Sequence, residues 1–109
     1  MKEIKAYIKT IKLDSVMTAL HQIDGLEGAS FSQVLGFGRG KENSSGFSPD
    51  YDIKGNSKHY KVEVVCEDLL VDSVIQAILQ AAHTGLRGDG RIFVSDVTRS
   101  MRIQEKSGD

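Results

Sequence analysis

The stretch Thr84-Gly-Leu-Arg-Gly-Asp-Gly-Arg-Ile-Phe-Val94 joins the end of a helical pattern to an apolar strand through a glycine-rich turn. Glycine adopts positive φ readily, and successive amide N–H groups in such a turn can form a concave site for an anion. Arg87 and Arg91 add positive charge, and Asp89 is placed to hold an arginine or to hydrogen-bond the loop. For Gly-Asp-Gly taken alone, the plainer interpretation is a helix end followed by a tight connection.

The rest of the chain divides into alternating and helical patterns. Apolar residues in strict alternation predict half-buried strands, and apolar residues at three- and four-residue spacing predict amphipathic helices. Asp68 stands where it would cap the second helix. The order predicts an α+β, ferredoxin-like βαββαβ fold with an antiparallel sheet and a long loop between strands 2 and 3. The predicted elements are strands 2–9, 29–36, 59–66 and 91–97, and helices 13–24 and 69–82.

The sheet is expected to have one uncovered face. Both helices of such a fold lie on the same side of the sheet, and the other side is expected to carry Tyr7, Val65 and Phe93. An apolar sheet face needs a partner or a second copy to cover it.

The predicted loop, residues 37–58, is rich in glycine and serine and holds the only proline of the chain. A loop of this length in a small domain is typically functional or disordered. We favour a partner-binding function, because ordering so long a loop costs entropy that only a binding event would offset. Its candidate contact residues are Phe47, Tyr51 and Ile53.

Composition indicates a single domain over residues 1–109, with a flexible tail from about 105 to 109. The net charge of −1 gives no basic surplus that would favour nucleic acid. Cys66 is the only cysteine, so an internal disulfide is excluded and a reducing compartment is favoured. The sequence has neither a membrane-length apolar run nor a signal-peptide pattern, which predicts a cytoplasmic protein.

Catalysis finds little support in the sequence. No serine stands in a nucleophile-elbow setting, and the three histidines, His21, His59 and His83, have no metal-ligand spacing. Anion binding is better supported, because arginine offers forked donors for phosphate. Four arginines flank glycine turns or strand ends: Arg39, Arg91, Arg99 and Arg102.

Several motifs together resemble one family. Thr-x-x-x-Gly-Asp-Gly-Arg-Ile-Phe-Val-x-x-Val, at 84–97, resembles the second signature of the PII signal-transduction (nitrogen regulatory) proteins. Gly-Phe-Gly-Arg at 36–39 resembles the entry to that family's long regulatory loop, and the opening Met-Lys-x-Ile-x-Ala-x-Ile-Lys at 1–9 resembles its first strand. The resemblance covers residues 1 to about 104, and the loop is its divergent part.

The resemblance implies a non-catalytic homotrimer with its sheets facing inward. An adenine nucleotide, ATP or ADP, would sit in the cleft between adjacent subunits, with Mg²⁺ able to accompany ATP. The long loop would engage a partner protein such as a membrane transporter or an enzyme. By resemblance, positions 88–91 face the phosphates together with two further arginines, and Ser30 and Val65 hold the adenine. The nucleotide-binding residues are Ser30, Gly36, Arg39, Val65, Gly88, Asp89, Gly90, Arg91 and Arg102.

The chain also departs from the family pattern. Gly40 replaces a glutamine that supports binding of 2-oxoglutarate, which argues against a 2-oxoglutarate response. Gln104 replaces a tail arginine, which predicts either weaker binding of a nucleoside triphosphate or a preference for a less charged nucleotide. The residues around Tyr51 differ from the family's uridylylation sequence, so uridylylation is not expected.

Two alternatives stay open at this point. One is a trimeric ferredoxin-like protein that responds to a transition metal through its histidines and Cys66, linked to metal transport or tolerance. The other is an enzyme acting on a small phosphate compound, for which the sequence offers no visible base.

Overall fold

The computed structural model describes residues 1–36 and 57–104. Within these residues, four strands and two helices follow one another, and a short 3₁₀ turn precedes each helix. This order confirms the predicted α+β ferredoxin-like arrangement. The elements are β1 (Lys2–Lys9), α1 (Leu13–His21), β2 (Ser30–Gly36), β3 (Ser57–Cys66), α2 (Val71–Ala82) and β4 (Gly90–Asp96).

The strands form one antiparallel sheet in the order β2-β3-β1-β4. In this order β3 and β1 are the central strands, and β2 and β4 are the edge strands. The register places Ala6 of β1 opposite Val62 of β3 on one side and Ile92 of β4 on the other. Side chains of one row thus point to the same face of the sheet.

The core lies between the helices and one face of the sheet. Alternate residues of β1 and β3 are buried there, as the period-two pattern predicts. Burying an aliphatic side chain of this size stabilises the fold by roughly 1.5–3 kcal/mol, which holds the helices on the sheet. The largest fully buried side chains are Ile4, Ile8, Val16, Val62, Val64, Val74 and Ile78.

The opposite face of the sheet, which we call the open face, carries Tyr7, Val65 and Phe93 as predicted. The rings of Tyr7 and Phe93 contact each other edge to face, with centroids 6.3 Å apart. Charged residues also lie on this face, between its apolar residues. Charged residues alternate with the core residues on both central strands, and Lys61 and Glu63 form an ion pair of 3.6 Å.

Two predicted boundaries are corrected by hydrogen bonding. The first helix ends at His21 rather than at 24, because the chain turns there and reaches Gly25 at φ 86°. The third strand begins at Ser57 rather than at 59, because the ladder with β2 continues to its last pair, Gly36 with Ser57. Positions 57 and 58 of the predicted loop are therefore strand.

Asp68 does not cap the second helix. It begins the 3₁₀ turn Asp68–Leu70, and its Oδ1 accepts a hydrogen bond of 2.8 Å from the N-terminal ammonium of Met1. That hydrogen bond lowers the pKa of the Asp68 carboxyl. The N-cap position of α2 is taken by Leu70, which has no capping side chain.

Residues 37–56 and 105–109 lie outside the described part of the chain. The predictions for the loop residues Phe47, Tyr51 and Ile53, for Arg39 and for the tail fall there. Among the residues described, no helix has the length and apolar character needed to cross a membrane.

Candidate functional site

The glycine-rich turn is organised around the carboxylate of Asp89. Its Oδ2 accepts hydrogen bonds from the backbone amides of Thr84 at 2.9 Å and Gly85 at 3.1 Å. Its Oδ1 accepts a hydrogen bond from the Thr84 hydroxyl. The amide of Leu86 donates to the same hydroxyl at 3.0 Å. We call residues 84–90, held in this way, the glycine loop.

Lys9, the last residue of β1, supports the glycine loop. Its Nζ donates a hydrogen bond of 3.2 Å to the Thr84 hydroxyl and lies 3.4 Å from Oδ1 of Asp89. The side chain of Lys9 is only 13% exposed. Nδ1 of His83 also lies 3.4 Å from Oδ2 of Asp89, at the surface.

These contacts stabilise the ionised form of Asp89. The hydrogen bond from the Thr84 hydroxyl, followed by those from the backbone amides and Lys9, holds the pKa of Asp89 well below its usual range. Asp89 is thus a carboxylate at neutral pH, and both of its oxygens accept hydrogen bonds inside the loop. The prediction that it hydrogen-bonds the loop is confirmed.

Glycine is required at the end of the loop. Gly90 has φ 111°, and a Cβ built there would lie 1.7 Å from the carbonyl oxygen of Tyr7. No side chain fits so close to a neighbouring backbone. Glycine at this position lets β4 pair with β1 from its first residue, Gly90, which lies opposite Ile8.

Arg91 follows the loop on β4, directly opposite Tyr7 of β1. It is exposed and lies on the edge of the sheet formed by β4. The loop amides at positions 84–86 are already used internally. A ligand would therefore meet the amides further along, at Arg87 and Gly88, together with the Arg91 guanidinium. Gly88, Asp89, Gly90 and Arg91 thus form the first group of predicted site residues.

A second group lies toward the opposite edge. Ser30 and Gly36 are the first and last residues of the edge strand β2. Val65 is on the adjacent strand β3, and a shallow cavity of about 220 Å³ there is lined by Val65 and Glu27. Arg102 in the tail reaches Glu27, with an N–O distance of 3.9 Å.

One chain does not bring the two groups together. Ser30 pairs with Glu63 of β3, whose other partner is Lys5 of β1, and Lys5 in turn pairs with Phe93 of β4. Two strands thus separate Ser30 from β4, and strands lie about 4.8 Å apart. The described nucleotide residues therefore form two half-groups, one at the glycine loop and β4 and one toward β2. Within the second, Gly36 lies at the opposite end of β2 from Ser30, roughly 20 Å along the strand.

An apolar groove of about 410 Å³ opens beside the glycine loop, between α2 and β4. Its walls are mainly aliphatic, and it becomes polar at the end where His83, Asp89 and Arg91 lie. Leu79 of α2 lines this groove and is 50% exposed.

Sequence reasoning missed Lys9 as a site residue. Its signal was present in part, because the alternation of β1 places Lys9 on the side opposite to Ile8. Only the register of β1 with β4 brings its ammonium beneath the loop, and no pattern along the chain gives that register.

The metal-responsive alternative finds no support in the geometry. Within residues 1–36 and 57–104, no group of three or more histidine, cysteine, aspartate or glutamate side chains is arranged to hold a metal ion. Cys66 is a free, buried thiol, and burial raises its pKa, which disfavours the thiolate that binds metals.

Comparison with known proteins agrees with the motifs over the whole domain. The family profile described as Nitrogen regulatory protein P-II matches residues 1–107. The chain is 45% identical over 111 residues to the nitrogen regulatory protein P-II of Azospirillum brasilense, covering 100% of this chain and 98% of the relative. It is 43% identical to that of Rhodospirillum rubrum, with the same coverage. It is 41% identical to the P-II 1 protein of Escherichia coli K12, over 95% of this chain and 92% of the relative. On these grounds the chain belongs to the nitrogen regulatory protein P-II family.

Proposed function

We propose that this chain is a non-catalytic, cytoplasmic signal-transduction protein of the P-II type. It binds an adenine nucleotide, ATP or ADP, between adjacent copies of a homotrimer. The bound nucleotide then sets the conformation of the segment between β2 and β3, which contacts a partner transporter or enzyme.

The glycine loop is the observation that carries this proposal. The negative charge of Asp89 is turned inward and balanced by Lys9. Arg87, Gly88 and Arg91 are exposed, so the amides at positions 87 and 88 and the positive charge of both arginines would be accessible to a ligand. Amides held in fixed positions beside arginine suit a phosphate group. When ATP is the ligand, Mg²⁺ would supply further positive charge to its phosphates.

The two half-groups support a site between copies. If the β4 edge of one copy meets the β2 edge of the next, Arg91 of one chain approaches Ser30, Val65 and Arg102 of the other. Such head-to-tail contacts use different surfaces on each partner and form a ring when the rotation closes. A homotrimer with three equivalent clefts is the assembly that the family resemblance implies.

Signalling requires that the nucleotide favour one state of the segment between β2 and β3. A ligand shifts such an equilibrium only by its difference in affinity for the two states. Gly36 is the last described residue before that segment and belongs to the second half-group. A nucleotide contact at Gly36 would therefore act at the base of the segment. Unequal binding of ATP and ADP would make the protein report their ratio.

Calorimetric titration tests the proposed ligand. Purified protein is titrated with ATP, ADP and AMP in the presence of Mg²⁺, with and without 2-oxoglutarate. We expect saturable binding of about one nucleotide per chain, and no effect of 2-oxoglutarate because Gly40 lacks a side-chain ligand. Absence of saturable binding for all three nucleotides would overturn the proposal.

Arginine variants test the proposed residues. Arg91→Ala and Arg102→Ala should each weaken ADP binding about tenfold or more, the scale of a lost charge-assisted hydrogen bond, without unfolding the domain. Lys2→Ala is the matched control, because it removes a positive charge from the other end of β1, where Lys2 pairs with Asp96. Unchanged ADP affinity in both arginine variants would show that the site lies elsewhere.

A further inference from the structure

Lys9 is an unusually covered lysine. Lysine side chains are almost never fully buried unless paired, and that of Lys9 is 13% exposed. Its stem runs beneath the glycine loop, since a Cβ built on Gly88 would lie 3.9 Å from Cε of Lys9. Its ammonium ends between the Thr84 hydroxyl and the Asp89 carboxylate. The contacts span 75 residues of sequence and tie β1 to the loop.

The contacts of the Thr84 hydroxyl give Lys9 a defined effect. A hydroxyl has one proton to donate and two lone pairs to accept with. The amide of Leu86 and the ammonium of Lys9 fill the lone pairs, at 3.0 and 3.2 Å. The hydroxyl proton is then directed to Oδ1 of Asp89. Asp89 can only accept, and Lys9 and the Leu86 amide can only donate, so the hydroxyl has a single orientation. Lys9 adds the charged contact that holds the Thr84 hydroxyl and the Asp89 carboxylate in place under the loop.

We infer that Lys9 is a positioning residue for the phosphate of the ligand. It does not touch the ligand; it holds Asp89 and Thr84, which fix the backbone at positions 84–86 and so position the next amides, those of Arg87 and Gly88, for an anion. The inference rests on the proposed function for the identity of the ligand. Without Lys9 the loop would have to be ordered by the ligand itself, at a cost in affinity. This cost lowers the affinity for ligands that carry a phosphate. It does not lower the affinity for adenosine, which has no phosphate to contact the loop.

The first experiment measures the loop without any ligand. Amide hydrogen exchange at positions 84–86 is compared between the wild type, Lys9→Met and Lys2→Met. Lys9→Met keeps an apolar stem but removes the donor, and Lys2→Met removes an ion pair at the far end of the same strand. We expect faster exchange of the loop amides in Lys9→Met only. Unchanged exchange in Lys9→Met would overturn the inference, whether or not the protein binds nucleotides.

The second experiment compares ADP with adenosine by calorimetry. Lys9→Met should weaken ADP binding about tenfold, by analogy with the loss seen when a hydrogen-bonding partner of a metal ligand is removed, and should leave adenosine binding unchanged. Lys9→Arg, which keeps the charge and the donors, should recover most of the ADP affinity. Equal losses for ADP and adenosine would contradict a role in positioning the phosphate. If the wild type binds neither, the proposed function fails, and the exchange measurement still decides the role of Lys9 in the loop.

A third variant covers the case in which Lys9→Met does not fold. Thr84→Val removes the hydroxyl that Lys9 contacts and nearly conserves the shape of the side chain. We expect it to accelerate exchange at Gly85 and Leu86 and to weaken ADP more than adenosine. Wild-type exchange and wild-type ADP affinity in Thr84→Val would overturn the inference.

Discussion

At Gly90 the backbone leaves no space for a methyl group. A Cβ there would meet the carbonyl oxygen of Tyr7 at 1.7 Å, and the residue has a positive φ. Gly90→Ala should lower the free energy of unfolding by more than about 3 kcal/mol, because β4 must move away from β1. Urea denaturation measures this change.

Gly28→Ala is the control for that substitution. No heavy atom lies within 4 Å of a Cβ built on Gly28. Its free energy of unfolding should change by less than about 0.5 kcal/mol. A similar small loss for Gly90→Ala would mean that β1 and β4 do not meet in the described register.

Asp89 gives a prediction that depends on pH. Asp89→Asn cannot accept every hydrogen bond of the carboxylate, so a loop donor loses its partner, at a cost of about 1–3 kcal/mol at neutral pH. The pKa of Asp89 is lowered by folding, so its stabilising contribution is present above the unfolded pKa of about 3.9 and is lost as pH falls toward the folded value.

The difference in unfolding free energy between wild type and Asp89→Asn should therefore be constant from about pH 5 to 7 and narrow below about pH 4. Urea denaturation of both proteins at about pH 7, 5 and 3 measures it. A difference that grows on acidification would contradict the assignment, since it would require a carboxyl whose pKa is raised by folding.

The sequence predicted part of this residue-scale arrangement. The spacing of Gly-Asp-Gly indicated a turn, and the carboxylate of Asp89 was expected either to hydrogen-bond that turn or to hold an arginine. The support from Lys9 could not be predicted, because it depends on which residue of β1 lies next to the loop. The role of Asp68 was mispredicted because a capping position and a partner for an ammonium look the same in a linear pattern.

At the scale of elements, α2 presents two neighbouring residues to different surroundings. Ile78 is 1% exposed in the core, and Leu79 is half-exposed in the apolar groove. Ile78→Ala should lower the free energy of unfolding by about 2–5 kcal/mol through lost burial and the cavity left behind. Leu79→Ala should cost about 1 kcal/mol in a dissociated chain, because less apolar area returns to water.

Urea denaturation at two protein concentrations separates these effects. The difference in unfolding free energy between wild type and Ile78→Ala should be the same at both protein concentrations. The loss for Leu79→Ala should grow with concentration if a second copy covers the groove. Equal losses for both variants in the dissociated chain would contradict the orientation of α2.

The existence and order of the elements could be predicted, and so could both ends of β1, but the ends of several other elements could not. Alternation in β1 and β3 and the apolar spacing in both helices were sufficient for the fold class. The start of β3 was missed by two residues, because Ser57 and Lys58 have no strand pattern and are held by pairing with β2. The turn before α2 was missed because the apolar residues of Asp68–Leu70 continue the spacing of the helix.

At the scale of the whole molecule, the proposed homotrimer can be tested directly. Light scattering after gel filtration should give three times the chain mass of 11.9 kDa. Phe93→Asp places a charge on the open face, where Phe93 is 50% exposed, and should lower the measured mass while leaving the circular dichroism of the fold intact.

Leu69→Asp is the control for the assembly. Leu69 is 94% exposed on the turn before α2, away from the open face, and this variant should keep the mass of the wild type. A wild type that elutes as a single chain would refute the trimer. A trimer that survives Phe93→Asp would show that the open face is not the contact.

Composition and motifs together predicted the fold of the whole molecule, but they did not predict what covers its open face. The family motifs span the domain, so the fold followed from them as well as from periodicity. The alternation along β1 and β3 placed Lys5, Lys61 and Glu63 on the open face together with its apolar residues, and the register agrees. Alternation reveals which residues avoid the core, and it does not reveal what covers them.

The placement of the half-groups on opposite edges of the sheet has a genetic consequence under the proposed assembly. Chains with Arg91→Ala are damaged on one edge only, and chains with Arg102→Ala on the other. In a mixed ring, one junction joins the intact edges of two different chains and regains a complete site. Two copies of the gene that are each inactive would then complement one another, and a lone damaged chain would spoil one neighbouring junction while leaving the other intact.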